Sequence, residues 1–159
     1  DLTQQRLHLR ARALAELSKE EEALNLLAED QSLDALRLKA DILWKQRKWE
    51  EAGKILGKLI PASPPADRIL NDKESQAVIN LAIAQTLSED NEGLKLLRDS
   101  YSSIMSKGPH SDTFKLLTNS LNSGSVTSIA EELKQISQVQ AFMDQYRSKL
   151  KSTPLSEIN

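Results

Sequence analysis

Residues Leu33 to Pro64, LDALRLKADILWKQRKWEEAGKILGKLIPASP, decide the fold of this chain. Leu36, Ala40 and Leu43 recur at steps of four and three, and after a polar interruption at Lys45 to Lys48 so do Trp49, Ala52, Leu56 and Leu59. Each set makes one apolar stripe on a helix, because 3.6 residues per turn brings those positions to one side. Between them lie Arg37, Lys39, Asp41, Lys45, Glu50, Glu51, Lys54 and Lys58, charged residues of good helix propensity that suit a solvated face. The spacing predicts two antiparallel helices, with Ala40 and Ala52 letting the backbones approach and Trp49 filling the gap near the turn. One such hairpin leaves apolar surface uncovered, so neighbours are required.

The chain supplies them on both sides. Leu7, Ala11 and Leu14, then Ala23 and Leu27, repeat the pattern at an offset of 29 residues, which predicts a first hairpin over 2–28 and a second over 33–60. Ser32 or Asp30 can cap the helix that follows the turn. Pro61 to Asp72 holds three of the five prolines and cannot continue a helix. Asp72 is expected to cap the next helix and Ile69 and Leu70 to fold back onto the hairpins. A third hairpin is predicted over 72–106. Aligning Leu17 with Leu87 and Leu24 with Leu94 puts Gly93 where the earlier units have Ala23 and Ala52. Beyond Gly108-Pro109 the pattern gives a short helix over 112–122. A long amphipathic one follows over 127–149, with Ile129, Leu133, Ile136, Met143 and Tyr146 in its stripe. The expectation is an all-α fold forming a single domain over 1–150, with capping helices over 111–149 and a tail over 151–159.

Bulk properties narrow the function. At 159 residues and 39% apolar content the chain can bury one ordinary core. Formal net charge is −2 with the two signs interleaved, so nothing draws it to nucleic acid or to an anionic membrane. There is no cysteine, which removes disulfides, thiolate metal sites and cysteine nucleophiles. No apolar run has the length of a membrane span. The chain opens on Asp1, and the expectation is a C-terminal piece of a longer protein.

The second hairpin resembles the tetratricopeptide repeat of bacterial-type proteins: Leu36, Ala40, Leu43, Trp49, Ala52, Leu56 and Pro64 take the places of that motif in order. The likeness extends over roughly two thirds of the chain and weakens in the outer units. Arg47 stands where the motif has a turn glycine and Lys39 where it has a core leucine, with Arg10 and Asn80 at the matching places in the other units. The resemblance implies an α-α superhelix of three hairpins whose first helices line a concave groove. That groove would present His8, Arg12 and Glu16, then Arg37, Asp41, Trp44 and Lys45, then Val78, Ala82 and Gln85. A tryptophan beside Arg37 and Lys45 is the chemistry of a peptide anchor, since buried aromatic and Arg groups carry much of interface energy. Trp44 alternatively packs against the proline-rich loop or the next helix. The family's clamp for a C-terminal carboxylate needs asparagines on this face, and they are absent.

Catalytic constellations are missing. The two histidines, His8 and His110, fall in different units, and there is no glycine-rich phosphate loop, no H-E-x-x-H pair and no serine with an ordered base. Glu20-Glu21-Glu22 sits at a helix start, where carboxylates favour the dipole. The expected function is a non-catalytic scaffold that binds a protein or peptide partner in the groove, without cofactor or metal. The alternative is a structural or oligomerisation domain with no ligand of its own. The last helix either caps the stack or serves as a handle for another chain.

Overall fold

The computed structural model describes residues 2–119 and 121. The long helix expected over 127–149 and the tail over 151–159 lie outside the described residues. Within them the chain is entirely helical: α1 (Leu2–Glu16), α2 (Glu20–Leu26), α3 (Leu33–Lys45), α4 (Trp49–Leu59), α5 (Asp72–Leu87), α6 (Asn91–Met105) and α7 (Ser111–Asn119). Successive helices pair as α1 with α2, α3 with α4 and α5 with α6. α4 packs along α5, and α7 closes on both α5 and α6.

The three hairpin turns are built alike. Ser18, Arg47 and Glu89 each carry a φ near +58 or +59°, in the left-handed region. Around each, the next amide reaches back five residues, Lys19 N–H to the Leu14 carbonyl at 2.8 Å, Lys48 to Leu43 at 3.0 Å and Asp90 to Gln85 at 2.8 Å. The left-handed residue itself donates three back, to Ala15, Trp44 and Thr86. This is the Schellman ending, which satisfies helix carbonyls that would otherwise be orphaned. Glycine usually holds that place, and none of the three turns has it. Arg47 at the glycine position of the second unit is therefore one instance of a feature of every turn.

These turns set the register between units. Superposing Ser18, Arg47 and Glu89 keeps Ala23 with Ala52 but brings Leu94, not Gly93, to the crossing; all three residues are fully or almost fully buried. The sequence alignment of the third unit is thus off by one residue. Gly93 serves the turn instead: its amide donates to the Asp90 carboxylate at 2.9 Å, and a Cβ there would run into that carboxylate and come within 2.8 Å of Gln85 Nε2. The same shift moves Leu81, rather than Asn80, to the place held by Arg10 and Lys39.

Helix starts follow ordinary capping chemistry. Ser32 caps α3 by accepting from the Ala35 amide at 3.3 Å. Asn71, not Asp72, caps α5, and Glu74 reaches back to the Asn71 amide, so the two form a capping box. Arg68 grips Glu74 through two hydrogen bonds of 2.7 and 2.6 Å, holding its carboxyl down at about 2. The proline-rich connection is fixed at its start, where the Tyr101 hydroxyl donates to the Pro61 carbonyl at 2.7 Å. Leu70 packs on the core as expected, whereas Ile69 is exposed.

Apolar burial divides into two clusters. A small one joins Ala11, Ala23, Leu27, Ala35 and Ile42 between α1, α2 and α3. The larger runs from Ala40 and Trp44 of α3 through α4, α5 and α6 to Phe114 and Leu117 of α7. Nine consecutive residues of α5, Val78 to Thr86, are buried. A helix that is apolar nearly all round belongs at the centre of a domain, and α5 takes that place.

Candidate functional site

Arg37, Asp41 and Lys45 follow one another at intervals of four on α3 and so share one side of that helix. Arg37 and Lys45 are exposed and Asp41 is half-buried. By the turn register Arg12 of α1 occupies the place of Asp41, and it too is half-buried. Arg37 lies 3.6 Å from Asp34 one turn earlier, and Lys45 lies 3.8 Å from Glu20 of α2. Exposed pairs of this kind contribute little to stability.

Trp44 does not belong to that surface. It is 5% exposed, within the larger cluster, and its ring meets Trp49 edge to face with centroids 5.0 Å apart and planes at 86°. Edge-to-face contact suits the aromatic quadrupole. Its indole N–H is buried without an acceptor. The expected peptide anchor is instead a core residue, because the position one turn before the hairpin turn faces α4 and the next first helix rather than solvent.

The third unit contributes nothing to an open face. Val78, Ala82 and Gln85, expected to line the groove, match Leu36, Ala40 and Leu43 in the corrected register and are buried. The residues of α5 that match Arg37 and Asp41 are Ile79 and Ile83, 0% and 1% exposed. Among the described first helices of the hairpins, the positions of Arg37 and Asp41 are therefore charged and at least partly exposed on α3, and buried and apolar on α5.

A polar centre that the sequence did not reveal lies beside this face, at Asp30. Its carboxylate is 2.7 Å from His8 Nε2 on α1 and accepts the Ser32 amide at 2.9 Å, with Gln4 at 3.4 Å. Both side chains of the His8–Asp30 pair are only 14% exposed. Burial works against the charge on Asp30, but the hydrogen bonds from His8, Ser32 and Gln4 outweigh it and hold the carboxyl well below the usual range. The Asp30 carbonyl meanwhile accepts Lys39 Nζ at 2.8 Å, and the Ala28 carbonyl accepts it at 3.2 Å. Burial pushes the Lys39 ammonium down, against the pull of Asp30. Lys39 thus ties off two carbonyls of the connection between α2 and α3. At the other end of the seam Glu21 meets Lys48 at 2.9 Å.

A shallow depression of about 380 Å³ opens between α4 and the α5–α6 turn, lined by Glu50, Lys54, Gln85, Ser88 and Asp90 around Gly53. Glu50 and Lys54 close on each other there at 2.9 Å. Among the described residues no group of carboxylates and histidines is placed to hold a metal ion, and no helix is long and apolar enough to cross a membrane. No known family, curated protein or solved structure matches the chain.

Proposed function

We propose that the chain is a non-catalytic protein-interaction domain, a tetratricopeptide-like stack whose first helices α1 and α3 present the binding face. The observation that carries this reading is the shared Schellman turn. Repeating one turn geometry keeps Arg12 in register with Asp41 and His8 with Arg37, so adjacent units offer one continuous strip of charge and hydrogen-bonding groups. Such a strip suits an extended or helical peptide that carries both signs of charge, because complementary potentials give specificity and register. Superhelical stacking of the hairpins is part of the proposal. So is the absence of catalysis, for which the sequence offers no nucleophile with a base.

The test is capture of a partner from a lysate of the source cells on the immobilised full chain, with an Arg12→Glu, Arg37→Glu double variant beside wild type. Arg37 is exposed and Arg12 half-buried, so the variant is expected to stay folded, with at most a small drop in melting temperature, while capture falls about tenfold or more. Unchanged capture would place the partner elsewhere on the molecule. Capture of nothing by the wild type would favour the alternative, a structural domain without a ligand of its own.

A further inference from the structure

The seam between the second and third hairpins departs from the seam between the first and second at three matched places. In the register fixed by Ser18, Arg47 and Glu89, Glu50 matches Glu21, Gly53 matches Leu24, Gln85 matches Leu43 and Asp90 matches Lys48. At the first seam Leu24 packs against the small apolar cluster and Leu43 is buried. Glu21 there receives Lys48 Nζ at 2.9 Å and Gln46 Nε2 at 3.4 Å. The second seam keeps the glutamate and loses the rest: glycine stands for one leucine, a carboxamide for the other, and a second carboxylate for the lysine.

Those changes coincide at the depression between α4 and the α5–α6 turn, which Glu50, Gly53, Gln85, Ser88 and Asp90 all line. Among the described residues that line it, the one cation is Lys54, which lies 2.9 Å from Glu50 on its own helix, both side chains being mostly exposed. Asp90 gives one carboxylate oxygen to the Gly93 amide at 2.9 Å, and among the described residues no cation pairs with it. Gln85 is 9% exposed, and its carboxamide oxygen is buried without a donor. The amide end lies beside Asp90, since a Cβ on Gly93 would run into both Gln85 Nε2 and the Asp90 carboxylate. A half-turn of this planar group exchanges its two ends and brings the oxygen to the depression.

We propose that this depression binds the guanidinium of an arginine side chain presented by a partner protein, taking the role that Lys48 has at the first seam. Two carboxylates and a carboxamide oxygen without a donor ask for a flat cation with several N–H groups. Guanidinium offers five donors in a rigid fork that serves carboxylate and amide oxygens together, whereas an ammonium is a compact point charge. Lys54 is such a point charge and leaves Asp90 and Gln85 unmet. Its pair with Glu50 is exposed and contributes little, which lets an entering guanidinium displace it. The site uses none of the residues of the Arg12 and Arg37 strip. It stands without the protein-binding reading, and the assignment of the arginine to a partner rests on that reading.

The probe is acetyl-arginine amide, titrated at low ionic strength into the isotopically labelled full chain and followed through backbone amide NMR signals. Saturable shifts are expected at Gly53, Ser88 and Gly93, and acetyl-lysine amide is expected to bind several-fold more weakly. Asp90→Asn keeps a side chain that caps α6, and Gln85→Leu restores the residue of the matched place. Each is expected to weaken binding about tenfold while the chain stays folded. Lys54→Met removes the competing cation and is expected to strengthen it. Shifts that do not saturate, that are equal for arginine and lysine, or that survive Asp90→Asn and Gln85→Leu would overturn the site. A wild type that is silent while Arg147→Gln binds the probe would give the site to the chain's own arginine and overturn the assignment to a partner. Lysate capture that falls in the Arg12→Glu, Arg37→Glu variant but not in Asp90→Asn would leave the protein-binding reading intact and defeat the partner's use of this site. Arginine-specific binding by a chain that captures nothing would leave the site standing and defeat that reading instead.

Discussion

Replacing Trp44 by alanine is expected to destabilise the fold by about 3 to 5 kcal/mol, the usual cost of deleting a buried aromatic ring and leaving a cavity. Trp44 joins α3 to the cluster centred on α5 and stacks edge to face on Trp49, so the loss falls on the contact between the second and third hairpins. Thermal melting followed by far-UV circular dichroism should show a drop on the order of 10 °C or more. Trp44→Phe is expected to cost much less. It keeps an aromatic ring and removes an indole N–H that is buried without an acceptor, a group whose desolvation costs roughly 1 to 3 kcal/mol. An alanine variant melting within a degree or two of wild type would put Trp44 outside the core.

Asp30→Ala is expected to cost about 2 to 3 kcal/mol at neutral pH, since hydrogen bonds to a charged group are worth roughly 1.5 to 3 and this carboxylate collects several. The loss concentrates on the first hairpin, which shares only a small, alanine-rich cluster with α3. Because the folded carboxyl titrates below its unfolded value, its contribution is fully present above the unfolded pKa of about 3.9 and disappears as the pH falls through the folded value. The gap between wild type and variant should therefore narrow as the pH drops below about 4. Urea titrations at neutral pH and near pH 3 measure it. A gap that is the same at both would show that the charge of Asp30 contributes nothing.

The second hairpin was legible because its stripes have a clear helical period and its turn is polar. The third was harder. The apolar run of α5 from Val78 to Ala84 has almost no period, so nothing in it fixes which residue faces which neighbour. The long connection through Pro61 and Pro64 also breaks the 29-residue spacing, and matching leucines in its place gives a register one residue off. The feature that fixes it, a left-handed residue at each turn, left no trace in the sequence, because Ser18, Arg47 and Glu89 are ordinary side chains rather than glycines. Exposed residues at helical spacing, such as Arg37 and Lys45, could be read from the pattern. Burial of Trp44 could not, since the same tryptophan suits a groove or a core. The Asp30 centre was hidden for another reason: His8 lies 22 residues away and Lys39 acts on a backbone carbonyl, and neither relation has a motif.

Every assignment of a face to α1, α3 or α5 depends on the register of the three turns, and backbone NMR assignment of Ser18, Arg47 and Glu89 tests it most directly. Chemical shifts and three-bond couplings should give positive φ at all three residues, with amides of Lys19, Lys48 and Asp90 protected from exchange by their bonds to Leu14, Leu43 and Gln85. Positive φ at Ser88 instead of Glu89, with the Glu89 amide protected in place of Asp90, would contradict it. That result would return Gly93 to the helix crossing and Val78 and Ala82 to the binding face.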